Sequence, residues 1–374
     1  MPPRRIRSGF CRSPAMRHPR VAFYAKRYDA SKASIRLRVL EPIAALREAG
    51  IDARPLRAFG RVADHDVVVV SKAFGRGAER VIDAARRAGC GIIFDICDNR
   101  FANNRVRNSR HHVARTAALL LRADLVTVPT PSMGALLTAH VPAIGDRLRV
   151  VPDMLDEMAP GAGSRLSLID RVRLFGLRRF LDRHGDALHC VWFGNSLAGV
   201  SGLDQIGDAV ARLERFAGSR PATLTIISNK AALYRRLSAG WSVPHHYLPW
   251  SLASFPLALR QHRVALIPVA RNAYTAGKSI NRPATALLAG LGVIADSIDS
   301  YRELAPFIAL DDWAGGFVRY ADGWRDEQPR LAAARAHLHL HHGREAVAAR
   351  WAEVLAELVD QRSSGRDRDG PAQR

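Results

Sequence analysis

The chain has 374 residues, too many for one ordinary hydrophobic core, so two domains are expected. Its 48% hydrophobic content is that of a soluble globular protein, and no apolar run approaches the length of a membrane span. The net charge of +21, from 56 basic and 35 acidic residues, is spread along the chain; without a nucleic-acid module or interleaved aromatics it does not point to nucleic acid.

Six arginines and no acids fall in residues 1–20. This extension, 1–19, reads as disordered; it lacks the apolar core of a secretory signal, and Met16 is an alternative start. The four cysteines, Cys11, Cys90, Cys97 and Cys190, show no paired spacing, which suggests a reducing compartment and no zinc or redox motif. A cytoplasmic protein is expected, with peripheral contact to an anionic inner membrane face as the use of its charge.

Val21–Ala25 reads as a short buried strand leading into a polar loop. Ile35, Val39, Ile43 and Leu46 repeat at helical spacing, predicting a helix over Ile35–Ala49 that Gly50 ends. Arg36 and Arg38 near its start oppose the helix dipole, so either an anionic ligand or plain solvation explains them. Strands follow at Asp52–Leu56, Asp66–Ser71, Gly91–Ile96, Asp124–Val128 and Leu148–Val151. Helices are expected at Arg76–Ala88, Val106–Arg122 and Pro131–His140 between them. Apolar strands alternating with helices predict a doubly wound α/β domain over 20–155, with ligands at the carboxyl ends of its strands. There lie Tyr24–Ser34, Ser71–Phe74 and Asp98-Asn99, with Asp98 an ordinary strand-end turn residue unless a ligand says otherwise.

A connector, 156–187, contains a basic helix near Leu166–Arg183. The pattern then restarts in a second domain, 188–326. Leu188–Phe193 runs into Gly194-Asn195-Ser196, with strands again at Thr223–Ser228, His245–Leu248 and Val264–Pro268. Helices are expected at Leu203–Phe216, Lys230–Leu237 and, behind a serine cap, Ser251–Arg260. After Val264–Pro268 comes a loop with Tyr274, Gly277, Lys278, Ser279 and Asn281, then a helix Pro283–Leu291 and a strand Gly292–Ala295. Pro283 suits a first helical turn. Lys278, Ser279, Asn281 and Arg282 would thus stand at a helix N-terminus, where free amides, the helix dipole and two cations favour a phosphate. The plain alternative is a solvated basic loop with a Ser or Asn cap. Phe307–Leu310, helices Trp313–Trp324 and Glu327–Leu358 (a helical segment, 327–362) and a polar tail, 363–374, complete the chain. The histidine-rich run at His337, His339, His341 and His342, like His111-His112, reads as solvated surface, and no metal site is expected.

Several segments resemble group-1 (retaining-type) glycosyltransferases. Ala33-Ser34-Ile35-Arg36-Leu37-Arg38 is similar to their first loop and helix, and Ala123–Thr130 to their "AD-x-V-x-x-x-[ST]" strand. Trp192-Phe193-Gly194-Asn195 with Gly202-Leu203-Asp204 resembles the start of their donor domain, and Ala286–Ala295 their "EAMACGLPVVA" helix and strand. The resemblance spans about residues 20–325. It implies the GT-B architecture, two Rossmann-like domains facing across a cleft, and transfer of a sugar from a nucleotide-sugar donor to a glycan, lipid or small-molecule acceptor, with no metal or other cofactor. Envelope polysaccharide or glycoconjugate synthesis is the implied setting. A GT-B epimerase or phosphorylase, or a non-catalytic GT-B protein binding a nucleotide sugar or a protein partner, is the competing reading.

The sequence departs from that family at its charged positions. Gly277 and Thr285 stand where the family places two glutamates, and Asn195 and Val200 or Ser201 where it places diphosphate-binding Arg and Lys. The implied donor site is therefore Gly194, Asn195, Trp250, Lys278, Ser279, Asn281 and Arg282, with Trp250 either stacking on the base or packing in the core. Arg36, Asp98 and Asn99 would meet the acceptor or donor sugar from the first domain. Lys278, Arg36 and Asp98 are the catalytic candidates, Asp98 as a general base.

Overall fold

The computed structural model describes residues 19–102, 110–157, 166–197 and 199–368. Two six-stranded sheets, every pair parallel, form the frame. The first contains Val21–Tyr24 (β1), Ala53–Pro55 (β2), Val67–Ser71 (β3), Gly91–Asp95 (β4), Leu125–Val128 (β5) and Leu148–Val150 (β6), in the order β2-β1-β3-β4-β5-β6. The second contains Leu188–Phe193 (β7), Ala222–Ser228 (β8), His245–Pro249 (β9), Val264–Ile267 (β10), Gly292–Ala295 (β11) and Ala309–Leu310 (β12), in the order β12-β11-β10-β7-β8-β9. The central strands are buried along their whole length, as continuous β-branched and apolar runs such as Val67-Val68-Val69-Val70 require between two helical layers.

Chain direction across each sheet reverses once, between β1 and β3 in the first and between β7 and β10 in the second. Connections leave the carboxyl ends of neighbouring strands in opposite directions there, opening a crevice. Each sheet is covered on both faces by apolar clusters.

The last helix, Arg344–Arg368, lies on the first sheet: Val347, Trp351, Val354, Leu355 and Leu358 are buried with Val21 and Phe23, and the Trp351 and Phe23 rings meet edge-on at 5.5 Å. Gly91 admits this helix closely, since a Cβ there would stand 2.8 Å from Leu358. The Arg344–Arg368 helix thus returns from the second sheet to the first, tying the two together.

Several elements differ from the sequence expectation. The first long helix is composite: Ala33–Ile35, a π-turn Arg36–Leu40, then Glu41–Glu48. Such bulges turn side chains off the regular helical face, and here Arg38 is turned inward. The expected Glu327–Leu358 helix breaks at Gly343 into Gln328–His342 and Arg344–Arg368. The helix continues past the expected start of the tail at 363, with the Ser363 and Ser364 hydroxyls bonding carbonyls four residues back and Arg362 holding the Gly89 carbonyl. Behind β9 the helix is only Phe255–Leu259, without a side-chain cap. Short 3-10 turns at Phe59–Asp64, Pro142–Arg147 and Asp299–Leu304 carry no periodicity and were not expected. Residues 1–18 of the basic extension, the start of the Val106–Arg122 helix and Gly161 and Gly163 of the connector lie outside the described residues.

Candidate functional site

The carboxyl edges of the two sheets face one another, and the candidate site lies between them. On the first sheet, Ser71 ends β3 and Lys72 follows at φ 49°, a left-handed conformation uncommon for a residue with a Cβ. That turn, at the crevice beside β1, aims the Lys72 ammonium at Asp98 beyond β4, with Nζ 2.7 Å from Oδ2. The other carboxylate oxygen, Oδ1, accepts from Lys278 Nζ of the second domain at 2.5 Å and from the Tyr274 hydroxyl at 3.3 Å. Lys278 also lies over the Tyr274 ring, 4.2 Å from its centroid.

Burial alone would push Asp98 toward its neutral form, but the two lysines outweigh it and hold the carboxyl far below the usual range. Burial likewise opposes charge on both lysines; Cys97 and Asp98 more than offset it at Lys72, and Asp98 with Tyr274 at Lys278, so both stay protonated. Asp98 is thus a fixed anion between two cations, and a carboxylate held so low accepts a proton poorly. Beside it, burial pushes the Cys97 thiol up to about 12, which leaves it unreactive.

A second chain of charges runs beneath. Arg38, 1% exposed, pairs with Asp95 at the end of β4, and its Nη1 reaches Asp153 at 3.3 Å. Asp95 also accepts from Ser71 at 2.8 Å and Thr127 at 2.9 Å. Asp153 Oδ2 then crosses to the second domain, accepting from Ser279 Oγ at 2.5 Å and Asn281 Nδ2 at 3.5 Å. Two further bonds join the sheets: Asn99 Nδ2 donates to the Ala273 carbonyl at 2.9 Å, and Thr130 Oγ1 to that of Gly277 at 3.3 Å.

On the second sheet, β7 passes at its carboxyl end into a glycine loop at the crevice beside β10. Gly194 has φ 149° and Gly202 φ 100°, and a Cβ on Gly202 would stand 2.0 Å from the Asn195 carbonyl oxygen. Leu197 N donates to the Ser201 carbonyl, Ser196 Oγ accepts from Leu203 N, and Asn272 reaches in to the Val200 carbonyl, so the loop is pinned at both ends. Arg282, in the first turn of Asn281–Leu288, brings its guanidinium over the Trp192 ring, 5.7 Å from the centroid, and to 3.6 Å from where a Gly194 Cβ would be. Among the described residues no hydrogen bond or ion pair engages that guanidinium.

The expected residues therefore divide. Gly194, Asn195 and Arg282 share the β7–β10 crevice; the Asn195 side chain accepts from Ser196 N and leaves its amide exposed. Lys278, Asp98 and Asn99 meet across the cleft. Ser279 and Asn281 do not cap the helix, whose first flanking residue is Ile280 without a side-chain cap; their side chains are turned to Asp153. Lys278 likewise points at Asp98, away from that helix end. Trp250 packs partly buried on the core, 6.2 Å from the Phe255 ring. Arg36 is held by Asp156 at 2.5 Å and by the Ala30 carbonyl, pinning the connector to the first helix. Arg38 is neither solvated nor free for a ligand; it is wholly buried and doubly paired. Sequence reading placed Lys72 at the ligand edge and Tyr274 in the loop before the helix, but gave neither of them, nor Asp153, a role. The signal for Lys72 was a lysine directly after a fully buried strand; nothing local marks Asp153, whose partners lie 115 and 126 residues away.

Among the described residues no group of three or more His, Cys, Asp or Glu could hold a metal ion. In the histidine run, His342 pairs with Glu303 at 3.0 Å and His339 with Glu157 at 3.2 Å.

No protein-family model and no curated protein matches the chain. Solved structures do. An E. coli trehalose-6-phosphate protein bound with UDP-2-fluoro glucose matches with a TM-score of 0.60 at 12% identity, covering 90% of this chain and 98% of that one. A glycosyltransferase from Rickettsia africae matches at 0.61 and 9% identity, covering 92% and 99%. WaaG, a glycosyltransferase of lipopolysaccharide biosynthesis, matches at 0.56 and 13%, covering 90% and 99%.

The fold is GT-B.

Gly277 and Thr285, which the resemblance aligned with glutamates, are both closely packed. Gly277 abuts the Pro131–His140 helix so closely that a Cβ would stand 2.7 Å from Met133 Sδ and 3.3 Å from its Cα. Thr285 is buried and donates to the Asn281 carbonyl one turn back. At position 277 this GT-B cleft uses the space for contact between its two halves.

Proposed function

We propose that the protein is a glycosyltransferase that moves a sugar from a nucleotide-sugar donor to a glycan, lipid or small-molecule acceptor. The observation that carries this is Arg282, a cation stacked over Trp192 with no hydrogen-bond or ion-pair partner among the described residues, beside Gly194 in the crevice between β7 and β10. Crevices of this kind bind nucleotides in doubly wound sheets, and a glycine there lets phosphates approach the backbone. One similar GT-B structure holds a UDP-sugar, which makes UDP-glucose the first donor to try.

In this reading the acceptor hydroxyl oxygen bonds to the anomeric carbon while the bond from that carbon to the diphosphate breaks. The electron pair leaves with the nucleoside diphosphate, and the hydroxyl proton passes to the leaving phosphate or to water. Arg282, with amides of the glycine loop and the Asn195 side chain, stabilises the charge that grows on the leaving group. Lys278, Ser279 and Asn281 shape the donor side, and Asp98 and Asn99 the acceptor side. Arg36, tied to Asp156, supports the first loop and does not react. Guanidinium and amides take the place of a metal, so turnover is expected to be indifferent to chelator. Retaining stereochemistry, a role in envelope glycoconjugate synthesis, a cytoplasmic location and contact with an anionic membrane face belong to the same reading.

Thermal-shift screening of nucleotide sugars tests it, since a ligand of the folded state raises Tm. A donor that stabilises the protein and slowly releases nucleoside diphosphate supports transfer chemistry. Stabilisation without turnover on any acceptor supports the alternative, a non-catalytic nucleotide-sugar binder. No stabilisation by any nucleotide sugar refutes both.

A further inference from the structure

The helix Leu168–Asp182, between the two sheets in sequence, has two apolar faces. Leu177, Phe180 and Leu181 are buried against β9 and Phe255–Leu259, and Phe180 stacks on His246 at 5.3 Å. The opposite face is Leu168, Ile169, Val172 and Phe175, which are 77, 61, 63 and 66% exposed. These are four of the eight large apolar side chains that stand exposed among the described residues, gathered on two turns. At 100° per residue they span a stripe of roughly 120°. Arg171 and Arg178 border one side of it, Arg173 the other, and Arg179 continues it one turn on. Of these, only Arg178 has a carboxylate within ion-pair distance among the described residues, Asp182 at 3.7 Å.

An apolar stripe on a soluble surface marks an interaction site. The arginines on both sides decide what kind. A second copy of this chain would bring its own unpaired arginines against them. An anionic lipid surface instead supplies phosphates at the level where long arginine side chains reach out, and takes the apolar stripe into the acyl boundary. The chain's overall net charge of +21 has the same sign as these arginines.

We infer that the Leu168–Asp182 helix is a membrane-docking element that lies in the plane of an anionic phospholipid surface. This rests on the peripheral-membrane part of the proposed function and is independent of the transfer chemistry. The helix N-terminus, where Ser167 and also Ser251 bond to Asp170, lies at the carboxyl edge beside β9. Docking would therefore hold that flank of the cleft at the lipid surface, where a lipid-borne acceptor is presented.

The test is co-sedimentation of the full chain with vesicles of phosphatidylcholine alone or with about one-third phosphatidylglycerol. The wild type should partition onto the anionic vesicles at least about tenfold more strongly than onto neutral ones. The double variant Val172→Glu/Phe175→Glu should lose at least about tenfold of that binding, with Tm unchanged because both positions are exposed. A Phe175→Trp variant should gain a blue-shifted emission component over the wild-type background on anionic vesicles only. Wild type left in the supernatant overturns the inference. So does a double variant that still sediments, which would place the anchor elsewhere. Concentration-dependent self-association abolished by the double variant, with vesicles ignored, overturns it in favour of a second copy. Nucleotide-sugar binding is read in solution on the same samples, so its failure is separable from failure of lipid binding.

Discussion

Lys278 Nζ stands 2.5 Å from Asp98 Oδ1 although the two residues belong to different sheets and lie 180 positions apart. Lys72 holds the other oxygen of the same carboxylate, so one anion is shared between a lysine of its own domain and one of the opposite domain. Removing different members of this trio should have unequal consequences. Asp98→Asn leaves two partly buried ammonium groups without their counter-ion and is expected to cost about 1–3 kcal/mol. Lys278→Ala leaves Asp98 neutralised by Lys72 and should cost about 1 kcal/mol or less. Chemical denaturation of both variants checks the order, and the opposite ranking would refute the shared-anion account. Both variants should loosen the cleft, read as a larger radius of gyration in solution scattering.

Arg282→Ala removes the cation facing the β7–β10 crevice. Charge-assisted hydrogen bonds to a diphosphate contribute roughly 1.5–3 kcal/mol, so nucleoside-diphosphate affinity should fall about tenfold to a hundredfold. Turnover should fall further if charge grows in the transition state. Tm without ligand should scarcely change. Calorimetric titration of wild type and variant with the best nucleotide decides it, and equal affinities would take Arg282 out of the donor site.

Gly277→Glu places a carboxylate where related glycosyltransferases are expected to have one. Its Cβ would press on Met133 Sδ at 2.7 Å, with backbone behind it at 3.3 Å. The variant should lose about 1–3 kcal/mol of stability through overpacking, with no gain in donor affinity. A stable variant with tighter donor binding would show that the two halves separate more readily than their contacts indicate.

His262 is buried, donates through Nδ1 to the Ala258 carbonyl at 2.9 Å and accepts through Nε2 from Thr225 at 2.7 Å. Burial lowers the imidazole from 6.5 to about 4, against the backbone hydrogen bond to Ala258, which favours the charged form. The unfolded chain therefore binds the proton first, and this contribution to stability is whole above about pH 6.5 and declines as pH falls toward about 4. Urea midpoints for wild type and His262→Gln across that window should converge as the pH drops. A parallel pair of curves would contradict the assignment.

The architecture was legible because it rests on local pattern. Continuous apolar runs such as Val67–Val70 and Val264–Ile267 can only be strands covered on both faces, and their alternation with helices fixes a doubly wound sheet twice over. The β7 glycine loop and the position of Arg282 were legible for the same reason, since a strand end and a following helix place them at a carboxyl edge. What the sequence could not decide was which charges meet. Arg38 and Arg36 look alike two residues apart, yet the π-turn buries both and sends one to Asp95 and the other to Asp156. Lys278 reads as a phosphate ligand by its place in the chain, but its ammonium reaches a carboxylate 180 residues away because the two sheets close face to face. Long-range pairing of this kind depends on the docking of two domains, which no periodicity encodes, and the tertiary structure alone decided that Lys72, Asp98 and Lys278 form one group.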